Sequence, residues 1–153
     1  LVEIIEKSKK KIFSKKINVC TKTFQALRIF VNKETTELVE GIIKATKLIK
    51  HGGKIIVVSF HSIEDKIVKN FFNIYSDFAK NPSRYIPTKE IKSSLFKKIL
   101  KKPNVADTTE LRENIRSRSA KLRYAIRNNN SFFNPHEFKN KFINYLKLEG
   151  SRI

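Results

Sequence analysis

The stretch Gly53-Lys54-Ile55-Ile56-Val57-Val58-Ser59-Phe60-His61-Ser62-Ile63-Glu64-Asp65, "GKIIVVSFHSIED", decides how the fold is read. Its first half is an aliphatic run without polar alternation, which suits a strand buried on both faces in the middle of a parallel sheet. Its second half places two hydroxyls, an imidazole and two carboxylates within the seven residues Ser59–Asp65. Upstream, Leu38, Ile42, Ala45 and Ile49 recur at helical spacing, and His51-Gly52-Gly53 supplies a stop with a residue free to turn left-handed. Downstream, Ile63, Ile67, Phe71, Ile74 and Phe78 share one helical face and read as core. Helix, glycine turn, buried strand and helix make half of a doubly wound α/β sheet.

The polar cluster has two readings that can hold together. A Ser-His-Asp triad drawn from near neighbours is geometrically poor, because adjacent side chains on a strand-to-helix turn diverge. Metal binding is equally poor, since His61, Glu64 and Asp65 have no second His or Cys at helical spacing. The local pattern predicts that Ser62 caps the helix and Asp65 completes a capping box. Position adds something, because ligands of open α/β sheets sit at the carboxyl ends of strands. Ser59 and His61 are therefore candidates to line a site, with Asp65 supporting them.

Outward from this centre, residues 1–22 read as a helix and a basic linker, and Phe24, Leu27 and Val31 as a helical stripe that breaks near Asn32. Residues 79–94 hold Pro82 and Pro87 and read as a loop. "SLFKKILKKP" reads as a strand stopped by Pro103, and Asp107…Glu110 as a capping box. "SRSAKLRYAIR" reads as a last strand in which Ala120, Leu122, Tyr124 and Ile126 alternate with Lys121, Arg123, Ala125 and Arg127. Asn128-Asn129-Asn130 reads as a linker. A single amphipathic tail helix is expected, capped by Asn134, started by Pro135 and ended by Gly150.

The chain has 33 Lys and Arg against 14 Asp and Glu, a formal charge of +19, which favours a polyanionic partner such as nucleic acid. Arg112, Arg116, Arg118, Lys121, Arg123 and Arg127 cluster in "RENIRSRSAKLRYAIR", where guanidinium forks and interleaved serines suit phosphate oxygens; a charged edge strand is the bland alternative. With the single cysteine Cys20, an intramolecular disulfide and a cysteine-based zinc site are excluded, and a reducing, cytoplasmic setting fits. No apolar run is long enough to cross a bilayer, and no signal peptide is recognisable. Gly52-Gly53 lacks the pattern of a phosphate-binding glycine loop. The start at Leu1 suggests a fragment.

Three blocks, "TKTFQALRIFVNKE" (21–34), "GGKIIVVSFHSIEDKIVKNFF" (52–72) and "NIRSRSAKLRYAIR" (114–127), together resemble the RsmH/MraW family. These are bacterial S-adenosylmethionine-dependent methyltransferases acting on the N4 amino group of a decoding-site cytidine in small-subunit (16S) ribosomal RNA. The similarity covers roughly residues 1–127. Departures are few: Asn18-Val19-Cys20 precedes the first block where the family has His-Pro-Ala or Asp-Pro-Ala, Ile115 replaces a Pro, and Lys54 and Lys66 replace Arg. The family's glycine-rich G-G-H-S loop and its acidic cofactor ligands have no counterpart here.

The resemblance thus implies the C-terminal half of a Rossmann-like class I methyltransferase sheet with the end of an inserted helical domain. It divides the chain into 1–22 (end of the insert and linker), 23–127 (methyltransferase part) and 128–153 (linker and tail). It places Ser59, His61 and Asp65 on the cleft wall. The RNA-phosphate candidates are Arg28, Arg116, Arg118, Lys121 and Arg123. S-adenosylmethionine would be the cofactor, with its main loop elsewhere, and the small ribosomal subunit the partner; a homodimer is among the open oligomeric states. The rivals are a stand-alone basic RNA-binding module and a split homologue served by a separate cofactor subunit.

Overall fold

The computed structural model describes residues 1–8, 20–77 and 94–150. The expected linker at 9–19, Phe78 and nearly all of the expected loop at 79–94 lie outside them. Two compact units emerge, one of Leu1–Glu37 with Ile143–Ile153 and one of Leu38–Phe142. Residues 128–142, read from the sequence as linker and tail, therefore belong to the larger unit.

In the smaller unit, α1 (Val2–Ser8) and α2 (Thr21–Asn32) precede α3 (Glu34–Leu48), which continues into the larger unit. The expected break falls at Lys33, whose φ of 53° is left-handed and whose N–H turns back to the carbonyls of Ile29 and Phe30. The helical stripe of Phe24, Leu27 and Val31 lies exposed, and Ile29 is the buried residue of α2. The tail is two short helices, α6 (His136–Lys141) and α7 (Ile143–Leu148), interrupted at Phe142, and Pro135 takes the N-cap place expected for Asn134. Just beyond α7, the buried Glu149 carboxylate accepts hydrogen bonds from the Thr35 and Thr36 N–H groups at 3.1 and 2.8 Å, satisfying orphan donors at the start of α3.

The larger unit is a mixed α/β arrangement on an antiparallel sheet. Strand β1 (Lys54–Ser59) leads into α4 (Ser62–Ile74); β2 (Phe96–Ile99), β3 (Asn104–Val105), α5 (Thr108–Glu113), a 3-10 turn (Ile115–Ser119) and β4 (Lys121–Arg127) follow. Strand order is β1-β4-β2, with β3 also on β4, and every pairing between these strands is antiparallel. The expectation of a central parallel strand at "KIIVV" is therefore corrected. Among the described residues β1 pairs with β4 alone, Ile126 facing Lys54 and Lys121 facing Ser59. Its side chains alternate after all: Ile55 and Ser59 are buried, while Ile56 and Val58 are 57% and 49% exposed.

Helix α4 covers the other sheet face with Ile67, Val68, Phe71 and Phe72. The Phe71 ring is the hub of an aromatic cluster, with ring centroids of Tyr75, Phe96 and Phe138 at 5.2, 5.9 and 4.8 Å, all edge-on. Burial of each such ring is worth about 1.5–3 kcal/mol, and edge contacts add to it. Phe138 brings α6 onto this cluster, which is why that amphipathic segment is helical. Helix α3 ends at Leu48, ahead of the expected glycine stop; Gly52, with φ of 80°, makes the turn into β1, and its N–H reaches the Arg127 carbonyl at 3.1 Å.

The sequence of β4 misleads about its faces. Arg123, Ala125 and Arg127 point into the unit and are buried, while Leu122, Tyr124 and Ile126 are half-buried. Arg127 donates to the carbonyls of Leu95 and Asn130 at 2.9 and 2.8 Å and to Asn128 Oδ1 at 2.6 Å. Asn128 in turn donates to the Ser94 carbonyl at 2.9 Å. The asparagine run, expected as a linker, is thus a hub of acceptors for a buried guanidinium, which would be prohibitively costly without them. Burial pulls the Arg127 pKa down from its ordinary value.

Candidate functional site

The end of β1 turns into α4 through Phe60 and His61, and His61, not Ser62, is the N-cap residue. Its backbone is extended, and its Nδ1 accepts from the Glu64 N–H at 3.4 Å. Glu64 closes the turn from the other side: Oε2 accepts from the Phe60 N–H at 3.0 Å, and Oε1 lies 3.1 Å from His61 Nε2. The cap is a reciprocal one, shifted one residue from the predicted position, with an imidazole nitrogen in place of a hydroxyl. Phe60, missed in the sequence as a site residue, holds an exposed ring beside His61.

Asp65, released from capping, faces β4. Its Oδ1 receives Arg123 Nε at 2.7 Å, and its Oδ2 receives Arg123 Nη2 and Lys121 Nζ at 3.3 Å each. Asp65 and Arg123 are 8% and 5% exposed, so this fork is a buried pair. Burial pushes the Asp65 pKa up, but the hydrogen bonds and charges of Arg123 and Lys121 outweigh it and hold the carboxyl below its usual range. The remaining Arg123 nitrogen reaches the Lys101 carbonyl at 3.4 Å. Ser59 is buried, and its hydroxyl donates to the Lys121 carbonyl at 3.4 Å.

The two sequence blocks therefore meet in space: Ser59 and Asp65 of the first are bound to Lys121 and Arg123 of the second. Arg116 and Arg118 sit exposed on the 3-10 turn that feeds β4, a turn fixed by Asn114, whose Oδ1 accepts the Arg116 N–H at 3.1 Å. Arg123 is not a surface cation, and its fork is already occupied by a carboxylate. Lys121 is intermediate, with its side chain 40% exposed while it touches Asp65. Arg28, in the smaller unit, forks onto Glu34 with Nε–Oε1 at 2.7 Å and Nη2–Oε2 at 3.1 Å. Charge complementarity between Asp65 in the first turn of a helix and Arg123 in a strand was the one sequence signal for the buried pair.

These residues do not fit a nucleoside cofactor by themselves. Both carboxylates beside the end of β1 are engaged, Glu64 with the cap and Asp65 with two cations, leaving no acceptor for a ribose hydroxyl pair. What the arrangement offers is a rigid strand end with an imidazole and an exposed ring, next to a turn bearing two exposed arginines. That combination defines a basic α/β domain.

Comparison with known proteins gives the particular family. Residues 1–128 match the model of the MraW methylase family, and the chain belongs to that family. It is similar to a ribosomal RNA small subunit methyltransferase H of Afipia carboxidovorans, 46% identical over 115 residues, covering 75% of this chain and 34% of the relative. A protein of the same description from Bartonella bacilliformis is 46% identical over 112 residues, covering 73% and 34%. One from Agrobacterium fabrum is 44% identical over 127 residues, covering 83% and 36%. The chain spans about a third of the length of these curated relatives. Among the described residues, no helix is long and apolar enough to cross a membrane.

Proposed function

We propose that this chain is the RNA-side portion of a cytoplasmic ribosomal RNA methyltransferase. The whole enzyme would transfer a methyl group from S-adenosylmethionine to the N4 amino group of a cytidine in the decoding region of 16S RNA. The observation that carries the proposal is the joining of the family's two characteristic blocks through the Asp65–Arg123 fork and the Ser59–Lys121 contact. In this reading the sheet belongs to a Rossmann-like class I methyltransferase whose further strands add at the outer edge of β1. The donor is held by residues outside this chain.

The work left to these residues is positional. An enzyme acting on an exocyclic nitrogen must present a base taken out of its stack. The exposed Phe60 ring offers a stacking face, and His61, whose two ring nitrogens both face Glu64, fixes the strand-to-helix turn that presents that ring. Arg116, Arg118 and Lys121 serve the RNA phosphates and Arg123 positions the cleft wall. The charge of +19 would also suit a simple RNA-binding module, but such a module has no need of the matched blocks.

The test is a chimera in which this chain replaces the corresponding C-terminal part of the Agrobacterium fabrum relative. Methyl incorporation into small ribosomal subunits is expected, and His61→Ala should lower the single-turnover rate. A folded chimera without methyl transfer would overturn the proposal.

A further inference from the structure

An open groove of about 560 Å³ runs along the flank of α4, away from the strand end described above. One wall carries Lys101, just past β2, and the other Lys141, at the end of α6. Asn70, Asn73, Ser76, Ile74 and Ile99 complete the lining, and the Asn70 amide is anchored through its Nδ2, which donates to the Lys66 carbonyl at 2.7 Å. Lys141 Nζ is already aimed inward, 2.6 Å from Asn70 Oδ1, a contact that uses one of its three protons. Exposed Lys66 and Lys69 stand one helical turn ahead of Asn70 and Asn73, extending the basic track toward the N-terminus of α4.

The groove is also tied to the cleft wall. Arg123, which forks Asp65, donates its third nitrogen to the Lys101 carbonyl at 3.4 Å, so the Lys101 wall is held by the same guanidinium. From His61 to Asn70 along the helix is about 14 Å at 1.5 Å per residue, a span of two or three nucleotides.

We propose that this groove binds the sugar-phosphate backbone of single-stranded RNA flanking the target nucleotide. Lys101 and Lys141 hold phosphate oxygens, Asn73 bonds to a ribose hydroxyl or base edge, and Ile74 and Ile99 lie against a ribose. Among the described residues no aromatic ring lines the groove, so these side chains track the backbone without stacking bases and show little sequence preference. The functional placement rests on the methyltransferase reading above, but the binding itself does not.

The test uses the full chain without methyl donor and a fluorescent oligouridylate of about ten nucleotides, a length within the usual site size of single-strand binders. Lys101→Ala/Lys141→Ala should weaken binding on the order of tenfold near 50 mM salt and lower the slope of log K against log salt by about 1.4, two single-strand phosphates. Lys101→Arg/Lys141→Arg should keep the slope. In the unmutated chain, bound RNA should protect Lys101 and Lys141 from acetylation while Lys47 and Lys50 label as before, a readout independent of variant folding. No RNA binding by the chain, an unchanged slope in a folded alanine variant, or unprotected Lys101 and Lys141 would overturn the proposal. Equal protection by inorganic phosphate at the same phosphate concentration would replace it with a free-anion site. A chimera that fails to methylate leaves this result standing, and a groove that fails leaves the chimera standing.

Discussion

Replacing Asp65 by Asn puts the Asp65–Arg123 pair to a quantitative test. The substitution keeps the volume and removes the charge that balances Arg123, which is 5% exposed and is left with a neutral amide oxygen and a 3.4 Å contact to the Lys101 carbonyl. Breaking one side of a buried ion pair costs about 3–5 kcal/mol, because the other charge stays buried and unmatched. Lys121, 40% exposed, turns to solvent at little cost. The expected loss is therefore about 3 kcal/mol at neutral pH, a large part of the 5–15 kcal/mol typical of a domain. The assay is urea unfolding followed by circular dichroism, with Asp65→Leu/Arg123→Met as the second arm. Removing both charges should cost less than removing one. The pH dependence follows from the direction of the Asp65 shift. Its folded pKa is lowered, so the stabilisation is fully present above the unfolded value near about 4 and is lost as pH falls through the folded one. The gap between wild type and Asp65→Asn should thus narrow only in acid. A neutral-pH loss below about 1 kcal/mol, within the range of surface pairs, would refute the reasoning.

Other outcomes follow from single contacts. In Gly53→Ala the new Cβ would lie 2.5 Å from Ile49 Cγ1 and 2.9 Å from the Lys50 carbonyl oxygen, so a loss of about 1–3 kcal/mol is expected in the same urea assay. Glu149→Ala removes the carboxylate on the Thr35 and Thr36 N–H groups; hydrogen exchange at these two amides should accelerate, with a stability loss of about 1 kcal/mol. Calorimetry of S-adenosylmethionine with this chain alone should show no binding, and micromolar affinity would contradict the division of labour proposed here.

Much of the chain was legible because its signals are local. The helix break near Asn32, left-handed Gly52, the Asp107 cap and the strand-to-helix boundary near residue 60 need only neighbours in sequence. The cap at His61 was displaced by one residue because an imidazole nitrogen is rarely weighed as a capping acceptor. The direction of the strand beside β1 was not legible, because an aliphatic run says nothing about its neighbour, and residues 121–127 return antiparallel. Arg123 and Arg127 were read as outward because alternation assigns charge to solvent. Their burial depends on Asp65, 58 residues earlier, and on the Leu95 carbonyl and Asn128. The phosphate-binding reading of "RSRSAKLR" therefore loses Arg123, whose fork is filled by Asp65, and for Arg116, Arg118 and Lys121 it stands as a proposal.

The most direct measurement of the central claim is nucleoside mass spectrometry of small-subunit RNA methylated by the chimera. N4-methylated cytidine, at one position in the decoding region and diminished by His61→Ala, is the predicted product. A methyl group on another atom, or on RNA of the large subunit alone, would contradict the account.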